Sequence, residues 1–202
     1  TIKNRNFIPM LLPNLVPNRL EAGCDEVGRG CLCGPVTAAA VILPEDYANE
    51  WINDSKKLTK GNREKLTEEI KANSLTWAIA SATVEEIDEI NILNASFLAM
   101  NRAIEALKIK PEFLLIDGNR FNPIHDIPYE CIIKGDGKYA SIAAASILAK
   151  TYRDDLMANL AVDFPGYGWE KNVGYPTKSH RLGIKEFGPT PHHRQSFKLL
   201  PE

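Results

Sequence analysis

The sequence lacks the features that mark several broad classes of protein. It has no apolar run long enough to span a bilayer, no internal repeat and no low-complexity tract. Its 24 Lys and Arg residues nearly balance its 26 Asp and Glu residues, so a net charge of −2 excludes a chain that is strongly basic or acidic throughout. Residues 1–18 are interrupted by prolines and offer no signal-peptide cleavage site. We therefore expect an N-terminal extension over residues 1–18, one globular domain over residues 19–202, and no membrane partner.

Cysteine is also scarce, with four residues in the chain: Cys24, Cys31, Cys33 and Cys131. This usage favours a reducing compartment, and we expect the protein to be cytoplasmic. Cys31 and Cys33 have a spacing that suits a soft-metal site, but no second pair stands at the distance that zinc sites need. We favour plain packing thiols, with the soft-metal site as the alternative.

The most informative feature that is present is the run from Cys24 to Gly30, in which Asp25 and Glu26 precede a Gly-Arg-Gly turn. Adjacent carboxylates at the end of an apolar strand are costly to desolvate together unless a cation neutralises them. Glycines let backbone N–H groups approach a ligand closely, and Arg29 supplies a forked donor that suits phosphate. The run predicts metal-assisted phosphodiester chemistry. The alternative is a strand-to-turn junction with two surface acids.

Apolar runs alternate with amphipathic stretches along the chain, which predicts an α/β fold with a helical C-terminal part. The predicted strands are Leu20–Glu26, Val36–Leu43, Leu75–Thr83, Phe113–Ile116 and Tyr129–Lys134. The predicted helices are Gly61–Ala72, Ile92–Leu107, Ser141–Leu160 and Thr177–Phe187.

Two more acids, Asp117 and Asp136, end predicted strands beside glycines. With Asp25 and Glu26 they form a set of four carboxylates that can converge on one crevice and hold two hard cations about 4 Å apart. One difficulty is that neighbouring residues of a regular strand point to opposite faces, so Asp25 and Glu26 share a site only where the strand ends or bulges. For each acid taken alone, a turn without a ligand is the alternative.

Basic residues concentrate near the C-terminus. Residues 171–198 contain one acid, Glu186, and six basic residues, which are Lys171, Lys178, Arg181, Lys185, Arg194 and Lys198. This local charge predicts a nucleic-acid surface beside the acids. A solvated helix face is the alternative.

Seven short segments, each weak alone, occur together: Gly23–Gly30, Asp54–Leu58, Ile116–Asn119, Lys134–Asp136, Ser141–Lys150, Val173–Thr177 and His193–Phe197. In combination and in this order the chain resembles the bacterial type 2 ribonucleases H, the ribonuclease HII family. The segments extend over nearly all of the chain beyond residue 18. Cys31 and Cys33 stand where the family commonly has Pro and Ala, which alters packing but removes no metal ligand.

The resemblance implies a ribonuclease H-like mixed β-sheet flanked by helices, with a C-terminal helical substrate-binding region inside the domain of residues 19–202. It implies that Asp25, Glu26, Asp117 and Asp136 are the catalytic metal ligands, with Mg²⁺ or Mn²⁺ as the cofactor. The implied activity is cleavage of the RNA strand of RNA–DNA hybrids and nicking of DNA duplexes 5′ to embedded ribonucleotides. Such cleavage leaves a 3′-hydroxyl and a 5′-phosphate.

For substrate binding, the resemblance implies grips on the ribose 2′-hydroxyl, on the adjacent sugar and on phosphate. The 2′-hydroxyl would be bound by Gly28, Arg29 and Gly30. Tyr175 would stack on the adjacent sugar, and Ser55 and Lys56 would contact phosphate. We expect a monomer. Residues 195–200 are similar to a sliding-clamp peptide, although a family-typical C-terminal segment is the favoured interpretation.

Two rival functions stay open from the residues alone. A resolvase or exonuclease of the same fold would share the carboxylates but would not need a 2′-hydroxyl. A non-catalytic nucleic-acid-binding module would keep only the basic residues, and the presence of all four acids speaks against it.

Overall fold

The computed structural model describes residues 11–49, 51–52 and 59–201. Within these ranges the chain forms a mixed five-stranded sheet in the order β3-β2-β1-β4-β5. The strands are β1 (Glu21–Val27), β2 (Val36–Ile42), β3 (Thr76–Ala82), β4 (Phe113–Asp117) and β5 (Tyr129–Ile132). The helices are α1 (Lys60–Asn73), α2 (Val84–Glu105), α3 (Ala140–Asp163), α4 (Trp169–Asn172) and α5 (Lys178–Phe187).

Strand pairing explains why the sheet is mixed. β1 pairs antiparallel with β2 and parallel with β4, so two kinds of ladder meet at β1. The outer pairs continue this division, because β2 and β3 are antiparallel whereas β4 and β5 are parallel. The predicted mixed sheet with flanking helices is confirmed, and the ends of β1, β4 and β5 lie at one edge of the parallel half.

Alternation along β2 divides the core between the two faces of the sheet. Ala38 and Ala40 pack in a cluster with α2, whereas Ala39 and Val41 pack in a second cluster with α1 and α3. This follows from the two-residue period of a strand. Because both faces are covered, all seven residues of β2 are buried, which is why β2 reads as a continuous apolar run.

Helix α3 contacts the backbone of β1 directly. A Cβ placed on Gly23 would lie 2.2 Å from the carbonyl carbon of Ser141, so only glycine permits this approach. The close packing brings Ser146, in the second turn of α3, against Asp25 near the C-terminal end of β1.

Helix α2 begins eight residues before the predicted start at Ile92. Its N-terminus has a capping box formed by Thr83 and Glu86, and the two halves meet at Asn91, whose φ is 66°. The Asn91 side chain then accepts backbone N–H groups from Leu93 and Asn94, so it caps the second half. The Thr-x-x-Glu spacing was the available sequence signal for the first half.

The described part of the predicted N-terminal extension packs on the sheet domain. Leu11 is buried in the cluster that contains α1 and α3. The carboxylate of Glu21 accepts the backbone N–H groups of Leu15 and Val16. None of the helices in the described ranges has both the length and the apolar character that crossing a bilayer requires.

Candidate active site

The four predicted carboxylates line one open cavity of about 400 Å³. Asp25 and Asp117 lie at the same level, because Cys24 and Ile116 are register partners in the parallel pair of β1 and β4. Asp136 belongs to a single 3-10 turn, Gly135–Gly137, that follows β5. Parallel strands therefore deliver the acids to one edge of the sheet.

Glu26 reaches the same cavity although it is adjacent to Asp25 within β1. Its Oε1 accepts a hydrogen bond from Arg29 Nη1 at 3.1 Å. Its Oε2 is buried and has no hydrogen-bond partner within the described part of the chain. The longer side chain of Glu26 thus reaches the cavity that contains Asp25, although neighbouring residues of a strand point to opposite faces.

The electrostatics of the acids favour a bound cation. Burial raises the pKa of Asp25 well above its usual range, and the nearby Glu26 and Asp117 raise it further. Burial also raises the pKa of Glu26, and the Arg29 guanidinium partly offsets this rise by lowering the pKa. Oxygen ligands and crowded negative charge suit a hard divalent cation, and the partnerless Oε2 of Glu26 is an available ligand atom.

Hydrogen bonds fix the acids relative to one another. Asp117 Oδ1 accepts the N–H of Gly135 at 2.6 Å, which ties the turn that carries Asp136 to the end of β4. Asp25 Oδ1 accepts the N–H of Glu26 at 2.7 Å, and its carboxylate also accepts a hydrogen bond from Ser146 on α3. The site is thus held together by elements that are far apart in sequence.

A basic rim that the sequence reasoning did not assign borders the acids. Arg63, Lys134 and Lys150 line the same cavity. The Asp154 carboxylate accepts hydrogen bonds from Arg63 Nη2 at 2.7 Å and from Lys150 Nζ at 3.2 Å. It therefore holds both basic side chains beside the site. The signal for Lys150 was its position four residues after Ser146, on the same face of α3. Arg63 had no comparable signal.

The predicted substrate-binding turn lies beside the predicted aromatic residue. Gly28 has a φ of +96°, which favours glycine, and a Cβ on Gly30 would lie 3.9 Å from Tyr175 Cε1. Tyr175 is 41% exposed and lines the acidic cavity. The structure thus brings the turn, the ring and the acids together. Ser55 and Lys56, the predicted phosphate contacts, lie outside the described residues.

The C-terminal basic segment is only partly a surface. Lys171, Lys178, Lys185 and Lys198 are exposed. The Arg181 guanidinium donates to the backbone carbonyls of Lys198 and Leu199. Arg194, however, is fully buried, so its assignment to a nucleic-acid surface is wrong. Four lysines carry the charge that faces solvent in this segment.

The soft-metal alternative meets a hydrogen-bond network instead. The four cysteines are free, and Cys33 lies close to two buried histidines, His180 and His193. His193 Nδ1 accepts the N–H of Thr190 at 2.9 Å, so its proton is on Nε2, which contacts His180 Nε2 at 3.1 Å. His180 Nδ1 faces the carbonyl of Tyr175 at 3.0 Å and carries the proton there. Each ring nitrogen thus has a hydrogen-bond partner within the protein, and His180 Nε2 also accepts the indole N–H of Trp169 at 2.9 Å.

Residues 195–200 are held against the domain. The Asp88 carboxylate accepts the backbone N–H groups of Gln195 and Ser196. The Phe197 ring lies under the Arg194 guanidinium, at 5.1 Å from its centroid. These contacts favour a family-typical C-terminal segment. The similarity to a clamp peptide stays a prediction.

Comparisons with known proteins agree with this architecture. The family model of ribonuclease HII matches residues 22–200. The ribonuclease HII of Parabacteroides distasonis is 62% identical over 193 residues, which is 96% of this chain and 97% of that protein. The ribonuclease HII of Bacteroides thetaiotaomicron is 62% identical over 191 residues, which is 95% of this chain and 96% of that protein.

Two solved structures have a similar fold. The ribonuclease H2 from Pyrococcus horikoshii gives a TM-score of 0.73 at 26% identity, over 89% of this chain and 94% of that chain. The structure of the PCNA:RNase HII complex from Archaeoglobus fulgidus contains a chain with a TM-score of 0.76 at 28% identity, over 90% of this chain and 95% of that chain.

Proposed function

Because the chain belongs to the ribonuclease HII family, we propose that it is a metal-dependent endonuclease. It hydrolyses the RNA strand of RNA–DNA hybrids and nicks DNA duplexes on the 5′ side of embedded ribonucleotides. The products carry a 3′-hydroxyl and a 5′-phosphate. The observation that carries this proposal is the convergence of four carboxylates on one cavity beside the glycine turn and Tyr175.

The metal ligands are Asp25, Glu26, Asp117 and Asp136. These residues fit Mg²⁺ or Mn²⁺ because they offer only oxygen atoms and include a buried carboxylate oxygen without a partner. When bound, two such ions supply a hydroxide nucleophile at neutral pH and stabilise the departing 3′-oxygen. The hydrogen bond between Asp117 and Gly135 keeps the ligands of two neighbouring elements in place before the ions arrive.

The basic rim attracts and orients the phosphodiester. Arg63, Lys134 and Lys150 surround the acids, and contacts of this kind position a backbone without reading its sequence. Asp154 keeps Arg63 and Lys150 from forming ion pairs with the metal ligands, because it already binds both basic side chains at the side of the cavity. Ser55 and Lys56 add phosphate contacts in the same proposal.

Selection of RNA depends on the 2′-hydroxyl, which is the group that separates the two nucleic acids. Backbone groups of Gly28, Arg29 and Gly30 contact this hydroxyl, and the Tyr175 ring stacks on the adjacent sugar. Their adjacency supports this division of roles, since Gly30 lies against the ring and the ring lines the cavity that contains the acids. No base-reading group is part of the proposal, so sequence preference is weak.

A nearly isosteric substitution that removes one negative charge tests the proposal. Asp117→Asn removes a metal ligand from the cavity, whereas Asp126→Asn removes an exposed acid between β4 and β5 and serves as the matched control. With Mg²⁺ and an RNA–DNA hybrid, the turnover of Asp117→Asn should fall more than about 100-fold. Residues that only orient metal ligands cost up to about 100-fold when they are mutated, and a direct ligand should cost more. Hybrid affinity measured with a chelator should survive in both variants. Near-normal turnover of Asp117→Asn at saturating Mg²⁺ would remove this residue from the site.

A further inference from the structure

Two arginines, Arg153 on α3 and Arg194 after α5, are 0% exposed and lie beneath the proposed substrate-binding loops. Neither forms a salt bridge within the described ranges of the chain, and their donors go to backbone carbonyls instead. Burying a guanidinium without a carboxylate is costly. Burial accordingly lowers the pKa of Arg194 to about 10, which still leaves it charged at neutral pH.

Arg194 grips the glycine turn from below. Its Nη2 donates to the carbonyl of Gly28 at 2.7 Å, and its Nη1 donates to the carbonyl of Arg29 at 2.9 Å. Its Nε donates to the carbonyl of Gly34 at 3.0 Å, where the turn leads into β2. One side chain thus fixes both ends of the turn.

Arg153 joins the same loop to the loop that carries Tyr175. Its Nη2 and Nε donate to the carbonyls of Cys33 and Pro35, each at 3.0 Å. Its Nη1 donates to the carbonyl of Val173 at 2.8 Å, two residues before Tyr175. The buried guanidinium thus links the two loops, together with the hydrogen bond from the Leu32 N–H to the Gly174 carbonyl at 2.8 Å.

The orientation of two peptide groups follows from these contacts. In a planar trans peptide, the N–H of a residue points opposite to the carbonyl of the residue before it. Because the carbonyls of Gly28 and Arg29 point inward to Arg194, the N–H groups of Arg29 and Gly30 point away from the interior. Both residues are exposed, and Gly30 lies beside the Tyr175 ring.

We propose that Arg194 and Arg153 are positioning residues that hold the N–H groups of Arg29 and Gly30 in the orientation that meets the ribose 2′-hydroxyl. This inference rests on the proposed function, since it explains how that function selects RNA. The arginines do not touch the substrate. They stop the peptide groups of a flexible glycine turn from rotating, so that the donors are aligned before the substrate binds.

Arg194→Lys tests the inference, with Arg102→Lys as the matched control. Lysine keeps the charge but cannot reach several carbonyls at once. Arg102 on α2 also donates to a backbone carbonyl, that of Ser81 in β3 at 3.0 Å, but it lies outside the cavity. The readout is the ratio of affinities for a duplex with one ribonucleotide and the same duplex of DNA. A chelator prevents turnover, and the repulsion from the empty acids cancels in the ratio.

The wild-type protein should prefer the duplex with the ribonucleotide. Arg194→Lys should reduce that preference by about tenfold, the value of one hydrogen bond. Arg102→Lys should keep the preference even if its melting temperature falls as much as that of Arg194→Lys. An unchanged ratio in Arg194→Lys overturns the inference alone. A wild-type protein without any preference refutes the proposed RNA selectivity itself, and the inference with it.

A second measurement serves if Arg194→Lys does not fold. Amide exchange of Arg29 and Gly30 is followed by NMR in the wild-type protein with each duplex. Slower exchange of these two amides with the ribonucleotide duplex, and not with the DNA duplex, supports the outward orientation of the two donors that the inference requires. Equal exchange with both duplexes overturns it.

Discussion

The buried histidine pair predicts a loss of stability on mild acidification. His193 is 1% exposed, and burial lowers its pKa to about 4 from a usual value of about 6.5. Burial also lowers the pKa of His180, its partner at 3.1 Å. The pair is therefore neutral in the folded protein at pH values where free histidine is already charged.

The sign and size of the effect follow from proton linkage. Between about pH 6.5 and about pH 4 the unfolded chain binds a proton at His193 that the folded chain does not, so stability falls as the pH falls. The full loss for His193 is about 3 kcal/mol, and about 1.3 kcal/mol of it occurs between about pH 7.5 and about pH 5.5. Asp25 and Glu26 act in the opposite direction, because their raised pKa values favour protonation of the folded state.

Comparison of wild type with His193→Gln isolates the histidine contribution. Glutamine keeps a donor toward His180 but has no charged form, whereas the contribution of the active-site acids is common to both proteins. Urea unfolding at the two pH values, with a chelator present, gives the free energies of unfolding. The advantage of wild type over the variant should shrink by about 1.3 kcal/mol at the lower pH. Identical pH dependence of the two proteins would show that His193 does not resist protonation in the folded protein.

Three further predictions concern the site. Asp25→Asn should raise the melting temperature of the metal-free protein while it abolishes cleavage, because it removes a buried charge repelled by its neighbours; calorimetry that shows a lower melting temperature contradicts this. Tyr175→Ala should reduce cleavage at a single ribonucleotide about tenfold more than cleavage of a long hybrid, which offers many registers; equal losses would indicate a packing role. Replacing Lys171 and Lys178 by Ala should flatten the slope of log affinity against log salt by about one to two. An unchanged slope would indicate that both lysines are solvated and do not contact the nucleic acid.

Much of the fold was accessible from the sequence because its signals are local. The apolar runs of β1 to β5, the charged stretch of α1, the Ala-rich start of α3 and the proline and glycine that bound α5 predicted those elements to within about three residues. Acids that follow apolar strands predicted their own convergence, since parallel strands end at a common edge. The short helix α4 and the first half of α2 lacked a long periodic pattern and were missed.

The buried charges could not be predicted from the sequence. A C-terminal run of Lys and Arg indicates a solvated surface, because arginine is rarely buried without a partner. Arg194 departs from that expectation because the carbonyls it satisfies belong to residues about 160 positions earlier in the chain, and no local pattern reports them. Arg63 enters the cavity for the same reason, through its contact with Asp154 on another helix.

In our proposal, this cavity performs metal-dependent cleavage that is directed by a 2′-hydroxyl. The most direct test compares two DNA duplexes of identical sequence, one of which carries a single ribonucleotide, each incubated with Mg²⁺ and with a chelator. We predict one nick, on the 5′ side of the ribonucleotide, that leaves a 3′-hydroxyl and appears only with Mg²⁺. Equal cutting of both duplexes, or cutting that persists with the chelator, would contradict it.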